Sequence, residues 1–344
     1  MECDTRISRS RRPIAVKDDK ASDEISYSIS PLVSTGGIAL SDSEKAEAFA
    51  DNLETRFQPV PDPSVLAVIG MIDVALRFYF MTPASQPKLT NPEEVQEAMM
   101  DLKVSKAPGP NGILNRALKH LTQRAVSILD PIFNSILLAH NFPTEWKHSR
   151  VISILKPGKY PALPSSNQPI SFLDTIGKLF EKILLARKLH ELSERGLMRD
   201  EHFLSGPRYS TSMQLARLVE KITRNFREKR LTGAVFLDVA KSFDTVWIYG
   251  LLYKPTLLNF PSYIFHTISS NFRVRTFEAS FQTATSSRRG MRAGVVQDGL
   301  MSYVLFSLYD NDISSPSHHV ELSLYGEDSH HSHVSTLLVS YLRS

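Results

Sequence analysis

The sequence has few of the features that mark secreted or membrane-spanning proteins. A single cysteine, Cys3, excludes an intramolecular disulfide framework and fits a reducing compartment. The most apolar window, VLAVIGMIDVALRFYFM over 65–81, is short for a bilayer span and contains Asp73 and Arg77, so it predicts a packed helix. The charged start, MECDTRISRSRR, has no apolar core of a signal peptide. These absences predict a soluble intracellular protein, cytoplasmic or nuclear, without a membrane partner.

Charge of one sign is also not in large excess. Lysine and arginine total 40 and the acids 36, so the formal net charge is +4, which permits a polyanionic partner without requiring one. The 344 residues, 42% of them hydrophobic, can bury a sizeable core, and length alone suggests about two domains. Residues 1–40 are polar without apolar periodicity, which predicts a disordered tail or linker before a folded region over 41–344.

Helix and strand signals are mixed along that region. SDSE at Ser41 and TNPEE at Thr90 have the capping pattern that begins a helix, and regular structure is expected to start near Ser41. RVISIL followed by KPGK predicts a strand and its turn, and GAVFLDV predicts an apolar strand that finishes in Asp238. Because strands and helices do not strictly alternate, the pattern favours an α+β fold.

Acidic residues follow two of the predicted strands. Asp238 ends GAVFLDV, and Glu327 and Asp328 follow the alternating VELSLY and the turn residue Gly326. Two Mg²⁺ ions about 3.5–4 Å apart, as in phosphoryl transfer, need carboxylates from separate elements, and oxygen is the ligand that Mg²⁺ prefers. Short acid pairs are also common in surface turns. Spacing alone does not decide between a metal site and a charged turn.

Seven blocks of sequence resemble one known family. LDVAKSFDTVW, AGVVQDGLMSYVLFSLYDNDI and LYGED resemble, in this order, three successive polymerase motifs of the reverse transcriptases of non-LTR retrotransposons, of the jockey type. KAPGPNGI, RVISILKPGK, NQPISFLDTIGKLFEKIL and STSMQLARL resemble the preceding blocks of the same family. The resemblance runs from about Ser41 to the C-terminus, and seven blocks in the family's order make it specific.

The resemblance implies a right-hand polymerase with fingers and an antiparallel palm sheet flanked by helices. It implies an RNA-directed DNA polymerase that joins dNTPs to a DNA primer on an RNA template with two Mg²⁺ ions, or Mn²⁺. Asp238, Glu327 and Asp328 would be catalytic and would bind the metals, together with the carbonyl of Val239. Nucleotide or template contacts would come from Phe243, Gln297, Lys106, Arg150 and Lys156. The simpler alternatives are an ordinary core role for Phe243 and solvated charges for the three cations.

A polymerase site of this kind also requires a particular placement of its carboxylates and a basic surface. The strands that carry Asp238 and Asp328 are expected to be neighbours, with the two carboxylates within about 4–8 Å of each other. Seven cations are expected to line one concave side and bind nucleic acid weakly, without sequence preference and in a salt-dependent way: Lys106, Arg150, Lys156, Lys159, Arg288, Arg289 and Arg292. Five histidines near the acid pair could suit Zn²⁺ or Ni²⁺, although their spacing matches no ordered site: His318, His319, His330, His331 and His333.

Several positions depart from the family pattern. The acid pair is Glu-Asp after Gly326 instead of Asp-Asp after alanine, Asp298 stands for a glycine, and Gln168 stands for an arginine. Only sixteen residues follow Asp328 (344 − 328), so no thumb is expected, and the stretch after the pair is expected to have lost the family's apolar strand. These departures predict an impaired, truncated polymerase. The alternative is a catalytically inactive retrotransposon remnant with at most weak, non-specific nucleic-acid binding.

Overall fold

The structure is a computed structural model that describes residues 31–34, 36–59, 66–194, 211–240, 243–296, 299–309, 320–326 and 333–342. For 188–194, 211–214, most of 231–240, 300, 303, and all of 320–326 and 333–342, only the backbone course is described. The helices are α1 Asp42–Arg56, α2 Leu66–Met81, α3 Pro92–Met100, α4 Asn115–Lys119, α5 Gln123–Ala139, α6 Thr175–Glu194, α7 Thr211–Arg227, α8 Ile248–Leu257, α9 Ser262–Phe272 and α10 Leu300–Tyr309. The strands are β1 Leu32–Ser34, β2 Gly37–Ala39, β3 His148–Leu155, β4 Asn167–Phe172, β5 Leu231–Ala240, β6 Arg275–Phe281, β7 Ala284–Thr285, β8 Arg289–Met291, β9 Val320–Gly326 and β10 His333–Leu342.

The first two helices with capping signals begin close to the predicted places. At α1, the Ser41 side chain accepts the Glu44 N–H, and the Glu44 carboxylate accepts the Ser41 N–H at 2.9 Å, which confirms the capping box. At α3 the N-cap is Asn91 and not Thr90, because Asn91 Oδ1 accepts the Glu94 N–H at 2.8 Å. The Thr90 hydroxyl instead donates to Asp130 at 2.5 Å.

Regular structure begins before Ser41, contrary to the prediction. β1 and β2 form a short antiparallel hairpin, and the Val33 N–H donates to the Ala162 carbonyl at 2.7 Å. Leu32 and Ala39 are buried against α1. Each of these strands has three residues, of which only one is apolar and buried. So short a strand leaves no detectable alternation of apolar and polar residues, which explains why the sequence did not predict the hairpin. Residues 1–30 of the predicted tail lie outside the described residues.

The described strands form three sheets. A mixed five-stranded sheet has the order β4-β3-β6-β7 with β8 also on β6, and within it β3 and β6 run parallel while the other pairs are antiparallel. A three-stranded antiparallel sheet has the order β5-β10-β9. The third is the β1–β2 hairpin. Helices and strands are thus mixed, as the sequence predicts.

Helices supply most of the larger hydrophobic core. Phe133, Phe142 and Phe180 are fully buried around Trp146 in this core. A second, smaller hydrophobic cluster packs α1 against β6, and in it Phe57, which directly follows α1, contacts the ring of Phe277. The apolar window over 65–81 forms α2, but only Ile72 and Leu76 of this helix are buried. Nowhere in the described part of the chain is a helix both long and apolar enough to cross a membrane.

Candidate active site

The three-stranded sheet positions the backbone of Asp238. Asp238 on β5 lies opposite Ser335 of β10, and Ser335 lies opposite Tyr325 of β9. Because β10 lies between the outer strands β5 and β9, those two are about 10 Å apart. The prediction that they are neighbours is therefore wrong, although both belong to one sheet. Glu327 and Asp328 directly follow the last residue of β9 and lie outside the described residues, so their distance to Asp238 stays a prediction.

The central strand β10 was missed by the sequence reading. The stretch after the acid pair was expected to have lost its strand, yet His333–Leu342 pairs with β5 over ten positions and with β9 over seven. Its sequence, HVSTLLVSYL, is rich in β-branched and aromatic residues, which favour a strand even without strict alternation. Val239, the predicted backbone ligand, lies opposite Val334 of this strand.

The segment after Asp238 is tied to the segment before Gln297. The Val295 N–H donates to the Phe243 carbonyl at 2.7 Å, and the Gly294 N–H donates to the Val246 carbonyl at 2.9 Å. Gly294 has φ +87°, and a Cβ there would lie 2.5 Å from the Asp244 carbonyl oxygen, so only glycine fits. The structure therefore brings together the neighbours of two predicted site residues. Gln297 and Asp298 lie outside the described residues.

Phe243 packs in the core of this region. Its ring is buried and stacks on Phe306 of α10 with the ring centroids 4.5 Å apart. These contacts agree with the alternative that Phe243 has an ordinary role in core packing. Contact of Phe243 with a nucleotide or template stays a prediction.

A buried ion pair holds the same segment from the other side. Arg56 Nη2 at the end of α1 lies 2.5 Å from Asp244 Oδ2, and the two side chains are 7% and 3% exposed. Sequence reasoning missed this pair, although Asp244 stands within the quoted motif LDVAKSFDTVW. One feature of the sequence could have indicated it: Asp244 stands between Phe243 and a further apolar stretch. A carboxylate that is buried among apolar residues needs a positively charged or hydrogen-bonding partner.

Glu181 supports the first turn of α10, which follows Asp298. Its carboxylate accepts the Met301 N–H at 3.3 Å and the Asn271 side-chain N–H at 3.1 Å. Burial raises the pKa of Glu181, and the charge of Arg275 opposes that shift. Burial also lowers the pKa of Arg275 to about 10. Glu181 therefore acts as a cap, since it satisfies a free N–H at the beginning of a helix that is remote in sequence.

Replacing Glu181 with glutamine should change the pH dependence of stability. The pKa of Glu181 is raised above its ordinary 4.5 in the folded state, so from about pH 4.5 upward the folded chain holds a proton that the unfolded chain releases. The free energy of unfolding of wild type should therefore fall relative to Glu181→Gln as the pH rises above about 4.5, until the folded state also loses this proton. Urea titrations across this range measure the difference. A stability difference between wild type and Glu181→Gln that does not change with pH would contradict the prediction. Glu93→Gln, which removes an exposed charge, is the control.

The loop that carries Lys106 is anchored to the start of α6. Asn111 donates to Asp174, whose other carboxylate oxygen accepts the Ile176 N–H at 2.8 Å and thus caps α6. The Thr175 hydroxyl donates to the Ile113 carbonyl at 2.7 Å. Lys106 itself is exposed. The loop is therefore held firmly while its predicted phosphate-binding lysine remains accessible.

Arg150 and Lys156 lie on the hairpin formed by β3 and β4. Arg150 Nε donates to Glu278 of β6 at 2.9 Å. Burial opposes ionisation of Glu278, but the Arg150 hydrogen bond and neighbouring positive charge outweigh it and lower the pKa of this carboxyl. Arg150 thus has a structural partner, whereas Lys156 stands at the hairpin turn, where its N–H donates to the Ser166 carbonyl at 3.1 Å. Gln168 on β4 is buried, so an arginine there would have to bury its charge.

The remaining predicted cations do not all face solvent freely. Arg289 binds three carboxylates of α1, from Glu47, Asp51 and Glu54, at 2.7–3.0 Å. The hydrogen bond to Glu47 contributes most to the raised pKa of Arg289. Arg289 therefore fastens β8 to α1, and its predicted place on a nucleic-acid surface is corrected. Arg288 lies 3.9 Å from Glu145.

Metal ligands cannot be assembled from the described side chains alone. Within that part of the chain, no three His, Cys, Asp or Glu side chains lie close enough together to hold an ion. Four of the five clustered histidines lie outside it, as do Glu327 and Asp328, while His333 begins β10 opposite Ala240. The donors that the family resemblance names, Asp238, Val239, Glu327 and Asp328, are all carboxylate or carbonyl oxygens, which suit a hard divalent cation.

Comparison with known proteins identifies the class. Residues 154–331 match the family model for reverse transcriptase (RNA-dependent DNA polymerase), and this span covers just over half of the chain. The chain belongs to the reverse transcriptase family. The family implies the fingers-and-palm polymerase fold, and its members generally use divalent metal ions.

Curated relatives point to non-LTR elements. The chain is 33% identical over 292 residues to the probable RNA-directed DNA polymerase from transposon BS of Drosophila melanogaster, which covers 83% of this chain and 32% of that protein. It is 35% identical over 283 residues to the RNA-directed DNA polymerase from mobile element jockey of Drosophila funebris, covering 81% of this chain and 30% of that protein. The predicted resemblance to the jockey type is confirmed. The chain spans about a third of the length of these relatives.

Proposed function

We propose that this chain is the fingers and palm of an RNA-directed DNA polymerase that joins dNTPs to a DNA primer on an RNA template. The observation that carries the proposal is the arrangement around β5. Asp238 lies in a sheet whose other outer strand leads into the Glu327–Asp328 pair, and hydrogen bonds tie the residues after Asp238 to those before Gln297. The antiparallel β5-β10-β9 sheet is then the palm, and the proposed linker is restricted to residues 1–30, since the β1–β2 hairpin packs on α1.

The chain's own residues would act mainly by positioning. Asp238, Glu327, Asp328 and the Val239 carbonyl would hold two Mg²⁺ ions. Bound there, the ions would supply activation of the attacking oxygen and stabilisation of the leaving oxygen. Lys106 and Lys156 would contact phosphates, and Gln297 would contact the nucleotide. Glu181 and the Arg56–Asp244 pair would keep α10 and the segment after Asp238 in place.

We further propose that the chemistry is impaired in this chain. Glu327 carries one more methylene than the family's aspartate, and a ligand misplaced by about 1 Å can lower the rate about a hundredfold. Asp298 would bring a carboxylate towards a triphosphate, which at about 4 Å and an effective dielectric of 20 is repelled by roughly 4 kcal/mol per charge pair.

Primer extension on an RNA template with Mg²⁺ tests both proposals. The unaltered chain should extend slowly or not at all, and the double variant Glu327→Asp/Asp298→Gly should extend measurably. Adding Asp238→Ala to the double variant should reduce extension at least about a hundredfold, because a metal ligand is lost. Gln168→Arg is not expected to add much, since Gln168 is buried.

Asp101→Ala is the matched control, because this aspartate is 81% exposed and its ion pair with Lys182 lies outside the proposed site. Robust extension by the unaltered chain, lost with Asp238→Ala, would overturn the proposed impairment. If the double variant remains inactive but binds primer-template, the remnant alternative is favoured.

A further inference from the structure

A groove with an apolar floor and a basic rim lies between α2, α8 and the turn from α9 to β6. Its volume is about 510 Å³, within the range of ligand-binding clefts. Leu76, Leu252 and Phe272 contribute to the floor. None of the residues assigned above to the metal ions or to the nucleotide lines this groove, and of the seven cations expected to bind nucleic acid only Arg292 does. It is therefore a separate candidate site on the described part of the chain.

The rim carries more positive than negative charge. Three arginines line it, Arg77, Arg273 and Arg292, against one acid, Asp73. Arg77 is partly neutralised, because its Nη2 lies 2.8 Å from Asp73 Oδ2. Arg273 and Arg292 are exposed and form no ion pair with any described residue. The rim thus offers two accessible guanidinium groups to an anionic ligand.

Aromatic rings accompany these cations. The Arg273 guanidinium lies 4.4 Å from the centre of the Phe80 ring, which holds this flexible side chain by a cation–π contact. Tyr249 at the beginning of α8 also lines the groove, and 54% of its surface is exposed. An exposed ring and two exposed guanidinium groups thus line the same groove.

The turn that carries Arg273 has an unusual backbone. Val274 has φ +56° and is 81% exposed. This left-handed conformation is a true outlier for a β-branched residue and is energetically unfavourable. Strain of this kind persists where surrounding structure requires it, and it is concentrated at ligand-binding sites. Here it fixes the direction of the chain between Arg273 and β6.

We propose that this groove binds one or two nucleotides of a single-stranded nucleic acid, separately from the polymerase site. A base would stack on Tyr249, and the adjacent phosphates would contact Arg273 and Arg292. Proteins bind single strands in this way, with aromatic rings for the bases and a basic groove for the backbone. An acidic peptide would match the charge, but its backbone amides would need hydrogen-bond partners that the apolar floor does not provide.

This site needs neither the metal ligands nor catalysis. Binding in the groove should therefore persist in EDTA and in the Asp238→Ala variant. The proposal can be tested even if the chain has no polymerase activity, so its failure is distinguishable from failure of the proposed function.

Fluorescence anisotropy of the full chain with a fluorescein-labelled ten-nucleotide oligouridylate, in EDTA, measures this binding. Tyr249→Ala should weaken binding about tenfold, a change of about 1.4 kcal/mol. Arg273→Ala/Arg292→Ala should also weaken binding and should lower the slope of log K against log salt by about 1.4, which corresponds to two lost phosphate contacts. The matched controls are Tyr160→Ala and Arg116→Ala/Arg124→Ala, which remove exposed side chains of the same types outside the groove.

An abasic strand of the same length separates stacking from charge. Against this probe Tyr249→Ala should have no effect, while the double arginine variant should still weaken binding. Equal losses in the groove variants and the control variants would overturn the proposal. So would a labelled oligoglutamate peptide that binds more tightly than the oligouridylate with the same dependence on Tyr249, because the groove would then be a peptide site.

Discussion

Replacing Arg56 with methionine should lower the free energy of unfolding by about 3–5 kcal/mol. Methionine keeps the volume of the side chain but leaves the Asp244 carboxylate, whose side chain is 3% exposed, without the cation 2.5 Å from it. Breaking a buried ion pair by removing one partner typically costs this much, since the remaining buried charge loses its closest opposite charge. Urea denaturation at pH 7 measures the change.

The double variant Arg56→Met/Asp244→Leu should recover most of that loss. Replacing both ions with apolar groups is often neutral or stabilising, whereas a single replacement is not. The exposed pair Asp73–Arg77 provides the control, and Arg77→Met should change stability by less than about 0.5–1 kcal/mol. If Arg56→Met and Arg77→Met have equal effects, the pair is not the buried support described above.

Replacing Gly109 with alanine should destabilise the chain by about 3 kcal/mol or more. A Cβ at this position would lie 2.0 Å from the Leu173 carbonyl oxygen and 2.6 Å from its carbon. Backbone atoms cannot rotate away like a side chain, so the loop that carries Lys106 would have to move from the start of α6. Thermal or urea unfolding measures the loss.

Gly70→Ala is the matched control for this substitution. Gly70 lies inside α2, and a Cβ there meets nothing within 4 Å. Because alanine is the better helix former, Gly70→Ala should stabilise by about 0.5–1 kcal/mol. Similar effects of the two substitutions would show that the close approach of Gly109 to Leu173 is not maintained in solution.

The sequence predicts elements with strong local signals and misses those that depend on distant partners. The capping box at Ser41 follows from residues three apart, and β3 follows from a run of apolar residues. The place of β10 between β5 and β9 is decided by pairing across about a hundred residues, for which a single sequence carries little signal. For this reason the prediction that β5 and β9 lie next to each other was wrong.

The candidate site divides in the same way. Asp238 and the family could be read from ordered motifs, but the residues that support the site could not. Arg56 meets Asp244 across 188 positions, and Glu181 meets Met301 across 120. An isolated arginine or glutamate on a helix is usually solvated, so only the folded contacts reveal that these two are buried. For Arg289 the sequence misled in the opposite direction. Its charge suggested nucleic-acid binding, but in the folded chain it forms ion pairs with three carboxylates of α1.

The position of β10 between β5 and β9 affects how the chain is made. Asp238 pairs with Ser335, which a ribosome adds 97 residues later (335 − 238). At about 5–20 residues per second, β5 therefore waits roughly 5–20 s for its partner. During that interval the apolar strand LTGAVFLDVA has an open edge, which is a template for pairing with other chains. Protection of this edge by a chaperone or by slow translation after β5 would decide how much of the protein escapes aggregation.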